Sequence, residues 1–126
     1  MVLEYIALSI ALESLIERLV DKVRSLRGVS IRFLSLASEL ETLRDVLGTV
    51  ESSAQTCVDD NTQSLLKSCV QQATATCEEL ERCVNKVLWS KNKAVRGSWE
   101  KGNIIGLMQR LEGNKSTLVL LLGSIR

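Results

Sequence analysis

The chain has 126 residues, 45% of them apolar and 25% charged, with a formal net charge of +1. That length supports a single hydrophobic core, and the balance excludes a disordered or fibrous chain. Histidine and proline are both absent, which excludes acid–base chemistry through an imidazole poised near neutral pH and any mixed Cys–His zinc site. Leu, Ala, Glu, Lys, Arg and Ser dominate, so the local preference is helical throughout. The charge is unevenly spread: residues 1–85 carry 8 basic and 13 acidic groups, and residues 86–126 carry 8 basic and 2 acidic. Such a basic end suits an anionic surface.

The opening MVLEYIALSIALESLIERL holds an uncharged apolar run over residues 5–12 that meets Glu13, Glu17 and Arg18. It does not read as a secretion signal, because Glu4 stands where a basic flank belongs and no small-residue cleavage site follows. A membrane-spanning helix needs roughly 20 apolar residues, and Glu13 stops this run well short. The expectation is a retained segment of a cytoplasmic protein. A first helix over residues 2–26 continues through Leu12, Ile16, Leu19, Val23 and Leu26 at helical spacing. After Gly28, a second helix carries a strict alternation of four and three residues through Val29, Phe33, Leu36, Leu40, Leu43, Leu47 and Val50. A seam of that kind needs a helical partner. Residues 51–61 are polar, and Asp60 or Asn61 is the expected cap of a third helix. That helix runs to about residue 88 through Leu66, Cys69, Ala73, Cys77, Leu80, Val84 and Val87. The stretch LWSKNKAVRGSWEKGN loses periodicity and reads as a loop. Asn103 can cap a last helix with a seam of Ile104, Met108, Leu111, Leu118, Leu122 and Ile125, interrupted by Lys115. Four amphipathic stripes on short connections predict an all-α fold, an antiparallel helical bundle forming one domain over residues 1–126.

Cys57, Cys69, Cys77 and Cys83 have no C-x-x-C pairing. Cysteines six or eight residues apart on one helix cannot reach disulfide geometry, so those on the third helix are expected to pack as small apolar residues with reduced thiols. Glu39 with Glu41, and Glu78 with Glu79 and Glu81, imitate paired carboxylates, yet they read as solvated helix faces. The hexapeptide EGNKST resembles a phosphate loop only superficially: Asn114 separates Gly113 from Lys115 and no strand precedes it. Nucleic-acid binding is not expected, since stacking platforms need more aromatics than two tryptophans. No catalytic, cofactor-binding or metal residues are therefore assigned, and no enzyme is expected. Two candidates carry function. One is the opening helix, where Leu3, Ile6, Leu8, Ile10 and Leu12 could enter lipid. The other is the basic loop, where Trp89 and Trp99 flank Lys91, Lys93 and Arg96, a pairing suited to acyl chains and anionic headgroups.

Three stretches carry a family resemblance. VLEYIALSIALESLIERL is similar to the opening helix of the HeLo-like N-terminal domain of fungal STAND and NLR-like immune regulators. SIRFLSLASELETLRDVLGTV resembles that domain's second helix, with its Leu-Arg-x-Val-Leu core. LWSKNKAVRGSWEKGNIIGLMQRLEGNKSTLVLLL resembles its Trp-containing basic loop and last helix. The Cys-rich third helix departs from the pattern. The resemblance implies a bundle related to HeLo and mixed-lineage-kinase-like cell-death domains. Such a domain is held inactive, then self-assembles and drives its first helix into the plasma membrane in fungal immunity or heterokaryon incompatibility. It further implies anionic lipids and other copies as partners, and an activating NLR or amyloid-signalling protein upstream. The usual downstream NACHT, ankyrin, lipase-like or amyloid-forming segment is not in this sequence, which ends in TLVLLLGSIR and reads as an excised or isolated copy of the domain. The competing expectation is a helical self-association module that signals without touching lipid.

Overall fold

The structure is a computed structural model that describes residues 4–25, 31–52, 59–89 and 104–125. Four helices account for nearly all of these: α1 (Glu4–Ser25), α2 (Ile31–Ser52), α3 (Asp60–Trp89) and α4 (Ile105–Ile125). No strand occurs among the described residues. The fold is an all-α bundle.

The predicted seams are the buried faces where the structure describes them; Leu26, Val29 and the side chains of Phe33 and Ile125 lie outside that description, and Met108 is half-buried against the core. On α2, Leu36, Leu40, Leu43, Leu47 and Val50 have no exposed surface. On α3 every seam residue from Leu66 to Val87 is buried, including Cys69, Cys77 and Cys83. On the last segment Ile104, Leu111, Leu118 and Leu122 are buried, joined by Leu107, which the seam did not include. All of these belong to one continuous apolar core. Lys115 interrupts the α4 seam without breaking it, because its stem lies along the core while its ammonium reaches Glu112 at 2.8 Å and Glu39 at 3.3 Å.

The α3 cap differs from expectation. Asp59, rather than Asp60 or Asn61, caps the helix: its Oδ1 accepts the Thr62 N–H at 2.7 Å, and its carbonyl accepts the Gln63 N–H at 3.0 Å. Asp59 sits three residues before Thr62, the spacing at which a cap side chain reaches an orphan amide. Hydrogen bonding from the Thr62 side chain, then from its N–H, holds the Asp59 carboxyl below the usual range.

Interhelical bonds set the directions. Ser9 meets Leu47, Glu17 meets Arg44 and Arg24 meets Glu41, so α1 and α2 run antiparallel. Glu4 meets Lys67 and Arg18 meets Glu81, so α1 and α3 run parallel. Arg110 meets Glu79 and Asn114 meets Thr76, so α3 and α4 run antiparallel. Consecutive helices therefore alternate up and down. α1 packs between α2 and α3, α4 completes the square against the same two, and α2 and α3 take opposite corners.

This arrangement defines two ends. The lower half holds the first turns of α1 and α3 and the last turns of α2 and α4. The upper half holds the reverse.

Candidate functional site

The first turns of α1 form the lower-end candidate. Their sequence is apolar nearly all round, so packing decides which side chains go inside. Tyr5 and Leu12 are buried at 2% and 1% exposure, Ile6 and Leu8 are half-buried against the core, and Ile10 is 50% exposed. Ala7 and Ala11 join Ile10 on the solvent side. Of the five residues expected to enter lipid, then, Leu12 is a core residue here, Ile10 faces solvent, Ile6 and Leu8 lie between, and Leu3 is outside the described residues. Ser9, an uncharged exception in the apolar run, is fully buried, and its hydroxyl donates to the Leu47 carbonyl at 3.4 Å. No helix is long and apolar enough to cross a membrane among the described residues.

The basic-loop candidate lies mostly elsewhere. Trp89 is the last residue of α3, while Lys91, Lys93, Arg96 and Trp99 lie outside the described residues. The helices that flank this loop meet it at the upper end, since α3 runs parallel to α1 and Trp89 follows Glu81, which pairs with Arg18 and Lys22. The apolar opening is at the lower end. A 22-residue helix spans about 33 Å at 1.5 Å per residue. The first turns of α1 and the last turn of α3 lie at opposite ends of the bundle.

Polar chemistry divides along the same axis. Six interhelical ion pairs tie the upper half: Arg18–Glu81, Lys22–Glu81, Arg24–Glu41, Arg44–Glu17, Arg110–Glu79 and Lys115–Glu39. Hydrogen bonding from Arg18, with Lys22 beside it, holds the Glu81 carboxyl below its usual range. The lower half has Lys67–Glu4 alone among the interhelical pairs of the described residues. It also holds four of the five exposed large apolar side chains: Ile10, Leu65, Val119 and Leu120.

At the boundary, α1 presents Glu13 to Glu51 of α2, which sequence patterning had no means of pairing. Burial in the α1–α2 seam, then hydrogen bonding and repulsion from Glu51, push Glu13 up to about 7. Arg44 opposes the shift and Glu17 adds to it. One Glu51 oxygen, Oε2, is buried with no hydrogen-bond donor. A protonated Glu13 has a hydroxyl to donate across the seam, so the pair is a contact made by its protonated form.

The three described thiols offer no nucleophile. Burial pushes Cys77 up to about 12 and raises Cys69 and Cys83, so all three stay protonated near neutral pH. They are unbridged, and Cys57 lies outside the described residues. No group of side chains able to hold a metal ion occurs among the described residues. Inside the α3–α4 seam, the Thr76 hydroxyl donates to Asn114 Oδ1 at 2.8 Å, which satisfies a buried hydroxyl and sets the register of those helices. Asn114 sits in the EGNKST hexapeptide, which the structure places in the middle of α4.

Comparison with known proteins finds no match among curated proteins and none among solved structures. The sequence model of one family, described as pigment biosynthesis cluster protein PigL N-terminal, matches residues 5–126, which takes in all four helices and the core they share. The chain belongs to this PigL N-terminal family, a family of fungal helical domains.

Proposed function

We propose that this chain is a membrane-targeting effector domain of the HeLo-like kind, held in a closed resting bundle. On activation it self-assembles and delivers the first turns of α1 to the plasma membrane. The observation that carries this reading is the unequal fastening of α1. Its second half is tied by ion pairs to both neighbours, whereas the ion pair of residues 4–12 among the described residues is Lys67–Glu4, and apolar packing against the core does much of the rest. Apolar contacts are the kind that acyl chains can replace, because a side chain moving from core to lipid does not end in water. Burying an apolar side chain is worth roughly 1.5–3 kcal/mol, so a single copy binds weakly and several copies bind together through avidity. α3 ends at the end of the bundle opposite the first turns of α1, so either α1 swings out or the domain lies lengthwise on the membrane.

Dye release from anionic vesicles tests the proposal, comparing the whole chain with a variant lacking residues 1–12. The whole chain should release dye and the shortened chain should not, while keeping helical circular dichroism. Equal release by both variants, or none by the whole chain at any protein-to-lipid ratio, overturns the membrane reading and leaves a self-association module.

A further inference from the structure

We infer that the facing carboxyls of Glu13 and Glu51 form a latch on α1, shut while Glu13 holds a proton and open once that proton leaves to solvent. The inference names the regulation of the proposed membrane delivery and rests on that reading for its purpose, but its evidence is separate. Among the described residues, every other half-buried carboxylate has a cation bound to it. Glu39 has Lys115, Glu41 has Arg24, Glu79 has Arg110, and Glu81 has both Arg18 and Lys22. Glu13 and Glu51 are half-buried in the same way and have each other. Glu51 Oε2 lies buried and accepts no hydrogen bond. Two ionised carboxylates in one such seam repel each other and lose water without a return, so the closed seam needs a proton in the pair.

The surroundings supply no cation to replace that proton. On α1, Glu17 adds to the repulsion. On α2, Arg44 is the cation that acts on Glu13, yet its guanidinium binds Glu17 at 2.7 Å. Glu41 and Asp45 line the groove beside Glu13 and add negative charge there. α3 pairs with α1 through Lys67–Glu4 and Glu81–Arg18, each joining residues 63 positions apart, which sets Glu13 level with the uncharged Thr76. α4 lies diagonally across the bundle from α1, with Lys115 bound to Glu39 and Glu112 and Arg110 bound to Glu79. Loss of the proton therefore leaves two like charges in the seam, and water reaches both only if α1 draws away from α2 at that level. The position suits a latch. Glu13 directly follows the apolar run, and among the described residues the ion pairs from α1 to α2 start at Glu17 and resume at Arg24. A break at Glu13 frees the first turns of α1 while the second half stays fastened.

Amide hydrogen exchange of the whole chain at pH 6 and pH 8, corrected for intrinsic rates, tests the latch. Amides 8–12 report it, since the first four N–H groups of a helix have no intrahelical partner. Folded, Glu13 keeps its proton to about 7, and in the opened segment it releases it near 4.5. Protection of amides 8–12 should therefore fall about tenfold from pH 6 to pH 8. The opening is local, so amides 18–24 should stay more protected, and exchange at 8–12 should respond little to low urea. Glu13→Gln and Glu51→Gln should each abolish the fall while keeping helical circular dichroism, because either leaves one carboxyl facing an amide donor. Equal protection at both pH values in the original chain overturns the inference. So does the same tenfold fall in both variants, or one rate and one urea response shared by amides 8–12 and 18–24. Dye release on the same samples separates the two readings. A fall in protection with no release at either pH sinks the membrane proposal alone, and release with unchanged protection sinks this one alone.

Discussion

The two halves of the bundle share one core but are fastened differently. In the upper half, Glu81 grips Arg18 at 2.9 Å and Lys22 at 3.1 Å, and each neighbouring pair of helices has its own ion pair. In the lower half, Glu13 faces Glu51 across the seam and apolar side chains stand in solvent. Surface ion pairs contribute little to stability, commonly 0–1 kcal/mol each, so the contrast is not one of strength. It is one of specificity: ion pairs penalise a wrong register or partner, while an apolar face accepts any apolar surface that reaches it. The half that carries the first turns of α1 is the half that the proposed function requires to change partners.

The largest effect should come from the core that both halves share. Leu43, fully buried at the middle of the α2 seam, should cost about 2–5 kcal/mol when changed to Ala, through lost transfer energy and a residual cavity. Denaturant melts of a dilute sample would measure it. If Leu43→Ala left the melt unchanged but altered sedimentation, the α2 seam would be an interface and the shared core would fail as the common term.

The Glu13–Glu51 contact should make the lower half sensitive to pH. Unfolded, Glu13 releases its proton near 4.5, whereas folded it keeps the proton to about 7. Between those values the folded state binds the extra proton, so this contact's contribution is full below pH 4.5, falls as pH rises and is gone above about 7. Glu13→Gln keeps a donor facing Glu51 at every pH. It should flatten the decline and raise the melting temperature at pH 8 by a few degrees, roughly 1 kcal/mol for a domain of this size. Thermal melts at pH 5 and pH 8 read this directly, and parallel pH profiles for the variant and the original chain would contradict the protonated contact.

Glu81 behaves in the opposite sense. Its carboxyl is held low by Arg18 and Lys22, so its contribution is present at neutral pH and lost as pH falls through the acid range. Glu81→Gln should cost about 0.5–1 kcal/mol at pH 7 and nothing at pH 3, which urea titrations at the two values would check. A larger loss at pH 3 than at pH 7 would reverse the assignment.

Two small effects sharpen the comparison. Gly48 on α2 borders the groove beside Glu13, and a methyl group there would touch nothing within 4 Å. Gly48→Ala should stabilise by about 0.5–1 kcal/mol through helix propensity. Glu41→Gln, which breaks the pair between two exposed side chains, Arg24 and Glu41, should change stability by less than about 0.5 kcal/mol. If it cost as much as Glu81→Gln, the doubly bound carboxylate would have no special place in the upper half.

Much of this molecule was legible from its residues taken in order. Helical preference and the spacing of Leu36, Leu40, Leu43, Leu47 and Val50, or of Leu66 through Val87, are local properties, and each seam buries the residues its period selects. The same locality located α4 and its lysine interruption. It failed at the α3 cap, where Asp60 or Asn61 was expected and the backbone geometry chooses their neighbour Asp59. It was also blind in α1, where an apolar run with no clear face gives no signal of which side chains a neighbour will cover. What the linear sequence determined was four helices with apolar stripes, because periodicity needs no knowledge of partners. Tertiary structure alone decided that α1 lies parallel to α3, that the first turns of α1 lie at the end opposite the last turn of α3, and that Glu13 faces Glu51. Those outcomes depend on which residues meet after the chain has turned back on itself. Ser9 finds Leu47 across 38 positions and Lys115 finds Glu39 across 76, distances over which no local pattern carries information.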